Sequence, residues 1–130
     1  MKRVTGIGGI FFKSSDSKEV SKWYEEHLGI PKLNGGSTAF QWRDKNDTDE
    51  VGYTVWSVFK DDTDYLDPSD SEFMINYRVE DLEGLMKVLK EEGVEQCGEI
   101  QEYEYGKFGW ILDPEGRKIE LWEPVKGYKF

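Results

Sequence analysis

Few side chains in this sequence offer familiar catalytic chemistry. It has one cysteine, Cys97, and one histidine, His27. A thiol nucleophile needs a base beside it, and a lone cysteine cannot close an intrachain disulfide, which suits a reducing compartment. His27 falls near the expected end of a helix, where positive charge is favoured, and reads as structural. Asp62 and Asp64 have the opening spacing of a calcium loop, but no glycine or distant glutamate follows in register. Gly6-x-Gly8-Gly9 lies within an expected strand rather than at a strand-to-helix turn, so it is no dinucleotide fingerprint. What remains is aromatic. Five Trp, seven Tyr and seven Phe stand in 130 residues, enough either for a dense core or for the walls of a pocket.

The elements that must position those rings are written twice. One helix is expected from Asp16, an N-cap with Glu19 three residues on. Its stripe is Val20, Trp23, Tyr24, His27 and Leu28, and Gly29 ends it. A second helix is expected from Asp81, with the stripe Leu82, Leu85, Met86 and Leu89 and an end at Gly93. A strand precedes each, at Val4 to Lys13 and Phe73 to Val79. Further strands are expected at Phe40 to Arg43, Tyr53 to Phe59, Lys107 to Leu112 and Arg117 to Glu123, with Asp113 to Gly116 as a turn. The helix starts and ends lie 65 and 64 residues apart (81 − 16; 93 − 29), which indicates one unit duplicated. The fold class is therefore α+β, a single domain over 1–130. Its units are 1–60 and 73–124, joined by an acidic linker, 61–72.

The net charge of −10 repels nucleic acid and favours cationic small molecules. No segment approaches the ~18 apolar residues of a membrane span. A cytoplasmic location is expected.

Four stretches together resemble the vicinal oxygen chelate superfamily, which includes glyoxalase I, extradiol dioxygenases and bleomycin-resistance proteins. They are Ile7 to Phe12, Trp23 to Gly29, Asn76 to Leu82 and Asp113 to Trp122. Glu102 to Trp110 is similar to a stretch of glyoxalase/bleomycin-resistance-like proteins. The resemblance implies two tandem βαβββ units curled into a cup-shaped half-barrel, with helices outside and the ligand within. It also implies a homodimer and four metal-ligand positions, one on the first and one on the last strand of each unit. Counting back from the capping aspartates places the first-strand positions at Gly9 and Met74, and the last-strand positions are Trp56 and Glu120, 64 residues apart (120 − 56). Only Glu120 suits a hard cation, so neither a metal nor another cofactor is expected.

Strand alternation then puts Met74, Asn76 and Arg78 on the cup face, with Trp56, Trp122 and Phe11, and with Trp42 as a further wall. Glu120 is the candidate catalytic residue. Between tryptophans it would be a base, and beside Arg78 an anchor or ion-pair partner. The expected function is metal-independent binding of a cationic or aromatic small molecule, as in bleomycin-resistance proteins. The alternative is a glyoxalase-like lyase or isomerase using Glu120 as base, or within a non-standard metal site.

Overall fold

The structure is a computed structural model that describes residues 2–33 and 36–130. Seven strands form one mixed sheet that does not close into a barrel. They are β1 (Val4–Ser14), β2 (Thr38–Arg43), β3 (Val51–Lys60), β4 (Phe73–Val79), β5 (Gln101–Tyr103), β6 (Gly106–Leu112) and β7 (Lys118–Pro124). Their order across the sheet is β2-β3-β1-β4-β7-β6-β5, so β1 and β4, the first strand of each unit, meet antiparallel at the centre. Each unit repeats one topology, with its first and last strands parallel. Among the described residues the first unit has three strands, not four. After the first helix, Leu33 and Ser37 form only an isolated bridge, in a stretch broken by Pro31 and by Gly36 at φ 101°.

Helices α1 (Ser17–Leu28) and α2 (Leu82–Glu91) lie on the convex side. Asp16 and Asp81 cap them as expected, each accepting from a backbone N–H three residues on, at 3.1 Å. Gly29 closes α1 in the left-handed conformation, φ 70°. The α2 stripe buries Leu82, Leu85 and Met86 against Val79 and Leu121, about 1.5–3 kcal/mol for each large apolar side chain. The α1 stripe differs from expectation. Trp23 and Leu28 are exposed, and Tyr24 instead packs edge-on against Trp56 of β3 and Phe12 of β1.

A second core lies on the concave side, built from Phe11, Met74, Phe108, Trp110 and Trp122, with Leu66 from the segment between the units. That segment does more than join strands: Leu66 is fully buried, and Tyr65 reaches into the concave face. No described helix is long and apolar enough to cross a membrane.

Candidate functional site

The concave side holds a cleft of about 580 Å³. Phe11, Phe59, Phe108, Trp122 and Tyr128 line it, with Tyr103 and Tyr105 on its rim. The rings brace one another. Phe11 stacks on Phe59 at 5.3 Å, and Phe108 on Trp122 at 5.8 Å. Such rigid, preformed walls with a few polar points are the usual composition of a small-molecule site.

The polar points come from one row of the sheet. β1 pairs Gly9 with Val55 on one side and with Asn76 on the other, and Asn76 pairs with Glu120. Val55, Gly9, Asn76 and Glu120 are thus neighbours across the four central strands. Glu120 is 3% exposed. Its Oε1 accepts from Asn76 Nδ2 at 2.7 Å, and its Oε2 accepts from Trp110 Nε1 at 2.9 Å and from the Tyr65 hydroxyl. Burial, and then the negative charge of Glu120, hold the Tyr65 phenol well above its ordinary pKa, so it remains a hydrogen-bond donor. Lys118 stands over the Tyr65 and Trp110 rings and donates to the Tyr65 carbonyl at 2.6 Å rather than to Glu120.

Two features of this floor are unbalanced. No ion pair to Glu120 is found among the described residues, so its charge has no counter-ion. And Asn76 Oδ1 is buried without a hydrogen-bond partner there, lying over Gly8. A side chain at Gly8 would overlap that oxygen, so the glycine keeps the acceptor uncovered.

The residues singled out from the sequence divide into three groups. Phe11, Asn76, Glu120 and Trp122 line the cleft. Met74, 1% exposed, belongs to the concave core beneath it and is not among the lining residues. Arg78 is on the same face but lies in a neighbouring cleft and pairs with Glu50, not Glu120. Trp56 and Trp42 are corrections. Trp56 packs on α1 and Phe12, because β3 turns Val55 and Phe59 toward the cup and Trp56 the other way. Trp42 stands over Gly6 and Gly52, where β1 and β3 are no longer paired. The alternation had been set by the repeat offset, which assumes units of equal length. But the helix starts lie 65 residues apart and the helix ends 64, and only the former carries Glu120 onto Val55 (120 − 65), which stands in the same row as Gly9 and Asn76.

Tyr65, Tyr105 and Tyr128 are cleft residues that the sequence did not single out. A tyrosine-leucine pair inside an otherwise acidic stretch was the available signal for Tyr65.

The same shift changes the four positions at which metal ligands are expected. The central row offers Val55, Gly9, Asn76 and Glu120, so Asn76 replaces Met74 and Val55 replaces Trp56. Two of the four have no donor atom. Both Glu120 oxygens already accept hydrogen bonds, and no group of three His, Cys, Asp or Glu side chains that could hold a metal is found among the described residues. This donor set does not fit a resident divalent cation.

No family model matches the chain, and no curated protein matches it. Solved structures do. A variant of Streptomyces coelicolor methylmalonyl-CoA epimerase in complex with 2-nitronate-propionyl-CoA superimposes with a TM-score of 0.67 at 14% identity, covering 98% of this chain and 99% of that one. Mycobacterium tuberculosis methylmalonyl-CoA epimerase gives 0.61 at 20% identity, over 94% and 89%. The chain shares its fold with these epimerases. The Mn(II)-bound glyoxalase of Novosphingobium aromaticivorans gives 0.60 at 14% identity, over 96% of this chain but 40% of that one. At these identities the likeness is one of fold, and the function of this chain rests on its own residues.

Proposed function

We propose that this chain is a metal-independent small-molecule-binding protein of the glyoxalase/bleomycin-resistance type. Its ligand places an ammonium or comparable N–H cation between Glu120 and Asn76, and lays an apolar ring against the aromatic walls. The observation that carries this reading is the buried Glu120 carboxylate, which has no counter-ion among the described residues, beside Asn76 Oδ1, which has no hydrogen-bond partner among them. A cationic donor answers both needs at once: it neutralises the carboxylate and satisfies the amide oxygen. Burying such a charge unpaired is costly, and a partner arriving with the ligand recovers that cost on binding. Rings around the cation add about 0.5–2 kcal/mol. The chain's charge of −10 raises the local concentration of cations at the cleft mouth.

The test is isothermal titration with benzylamine and with benzyl alcohol, its neutral counterpart. Benzylamine binding saturably at one site, benzyl alcohol at least tenfold more weakly, and loss of that preference in Glu120→Gln are the expected results. Equal affinities would overturn the reading. Elemental analysis of purified, untagged protein provides a second check, and about one transition metal per chain would count against metal independence.

The alternative is a glyoxalase-like lyase or isomerase in which Glu120 takes a proton from carbon. Tyr65 favours it, because a fixed donor on Oε2 leaves Oε1, shared with Asn76, as the oxygen able to receive a proton. Methylmalonyl-CoA is bound by an epimerase of this fold. Uptake of deuterium from D2O into that compound, abolished in Glu120→Gln, would put this reading first.

A further inference from the structure

Arg78 lies two residues beyond Asn76 on β4, on the same face, yet it does not turn toward Glu120. Its guanidinium stands between two indoles, 5.4 Å from the centre of Trp42 and 5.7 Å from that of Trp122. The residue is 8% exposed. Its only ion pair among the described residues is with Glu50, at a long 3.8 Å, and the Glu50 side chain is 63% exposed. Arg78 Nε is buried with no hydrogen-bond partner there. Stacking fixes the plane of a guanidinium but does nothing for the N–H groups within that plane. Burial, only partly opposed by Glu50, also holds the Arg78 pKa below its usual value.

Arg78 borders a second cleft, of about 350 Å³, lined also by Tyr53, Pro124 and Tyr128. Tyr128 lines the aromatic cleft as well. Its ring packs edge-on against Trp122 at 5.1 Å and Tyr53 at 5.8 Å. One tyrosine thus separates the Glu120 cleft from the Arg78 cleft.

We infer that Arg78 forms a second subsite, for a carboxylate, and that the ligand carries an amine at one end and a carboxylate at the other with a flat apolar body between. This rests on the reading of Glu120 and Asn76 as the amine site. A carboxylate matches the Arg78 fork, which can donate two parallel hydrogen bonds to it. The cleft's other charges, Asp49 and Glu50 against Lys126 and Lys129, balance, so they give no added pull on the second charge of a phosphate dianion, and the planar fork of Arg78 sets the recognition. Spacing narrows the class further. Asn76 pairs with Glu120, and Arg78 pairs with Trp122 two residues on. The two poles are therefore about 8 Å apart at Cα, from ~3.3 Å per residue and ~4.8 Å between strands. An α-amino acid holds its two charges too close together to reach both. A ring-bearing ω-amino acid spans them, lying on Trp122 with Tyr128 turned aside.

The experiment is isothermal titration of the full chain with benzylamine, 4-(aminomethyl)benzoate and 4-(aminomethyl)benzamide. The benzoate is expected to bind about tenfold more tightly than benzylamine, and the benzamide to gain nothing. Arg78→Gln is expected to bring the ratio of benzoate to benzylamine affinity down to about one. Because that variant also loses a packed side chain, Glu50→Gln, at an exposed position, gives a second arm. It removes the competing anion and should tighten the benzoate several-fold without affecting benzylamine. Equal affinity for benzoate and benzylamine, or an advantage that survives Arg78→Gln, overturns the carboxylate subsite. Either result leaves the amine site standing, since benzylamine binding and its loss in Glu120→Gln report on that site alone. Failure of all three probes overturns both.

Discussion

Glu120→Gln separates a carboxylate kept for a ligand from one kept for the fold. In the wild type three donors converge on its two oxygens. A glutamine can keep its carbonyl toward Trp110 and Tyr65 and point its amide at Asn76. Asn76 then turns its own amide over, so that the previously unpaired Oδ1 accepts from the new side chain. Replacing three charge-assisted hydrogen bonds with neutral ones loses about 1–1.5 kcal/mol each, or about 3–4.5 kcal/mol together. Against this stands the relief of an uncompensated buried carboxylate, worth several kcal/mol. Turning the Asn76 amide over exchanges an unpaired acceptor for an unpaired donor, so that step adds nothing net. The variant is therefore expected to fold with stability within about 1 kcal/mol of the wild type or above it, while its affinity for benzylamine falls at least tenfold. Urea denaturation at neutral pH measures the first quantity and isothermal titration the second. Glu120→Ala is the control. It strands the Trp110 and Asn76 donors and opens a cavity, and should cost more than about 3 kcal/mol. A comparable loss in Glu120→Gln would refute the reasoning, because the charge would then be supporting the fold rather than waiting for a partner.

Trp56→Ala should lower stability by about 2–3 kcal/mol, below the usual range for a fully buried tryptophan, because Trp56 packs on α1 but is only partly buried. It should leave benzylamine affinity unchanged, and a matching loss of affinity would return Trp56 to the cup. Gly8→Ala introduces a methyl group that overlaps Asn76 Oδ1 and crowds Trp122. Titration should show weakened binding of every amine probe, and unchanged affinity would mean that this oxygen takes no part. Burial is the leading cause of raised phenol pKa values at Tyr65, Tyr105 and Tyr128, which therefore keep their protons in the folded chain where unfolded tyrosines, near pH 10, begin to lose them. Stability from these groups is full below about pH 10 and falls as pH rises beyond it. A urea midpoint that stays flat from about pH 9 to about pH 11 would contradict this.

The helices and the turn were legible because their signals are local. Asp16 and Asp81 each satisfy a backbone N–H three residues on, Gly29 takes a left-handed conformation, and Asp113 accepts from the backbone of Glu115 and Arg117 across its turn. Register is not local. Carried back from Glu120 by the 64-residue spacing of the helix ends, the count lands on Trp56, whereas the 65-residue spacing of the helix starts lands on Val55, the residue that faces the cup. Assignments within the second unit needed no such transfer, and there the alternation of Asn76 with Tyr77, and of Glu120 with Leu121, was readable. Tyr65 and Tyr128 reach the cleft from outside the regular strands, where neither period nor alternation applies. Only burial of their rings against Trp110 and Trp122 brings them there.

The charge arrangement also accounts for the sparing use of basic residues inside the cup. A lysine beside Glu120 would stabilise the empty protein and compete with any incoming cation. Lys118 is close enough in sequence to do this, but its ammonium is held over Tyr65 and Trp110 by the Tyr65 carbonyl. Tyr65 thus has two effects. Its backbone carbonyl accepts from the Lys118 ammonium, and its hydroxyl fixes one oxygen of the Glu120 carboxylate in place. Tyr65→Phe removes only the second effect. If the carbonyl is what keeps Lys118 away, the phenylalanine variant should retain most of its preference for benzylamine over benzyl alcohol. If the hydroxyl is what keeps Glu120 available, the preference should collapse, and Lys118→Met should then fail to restore it.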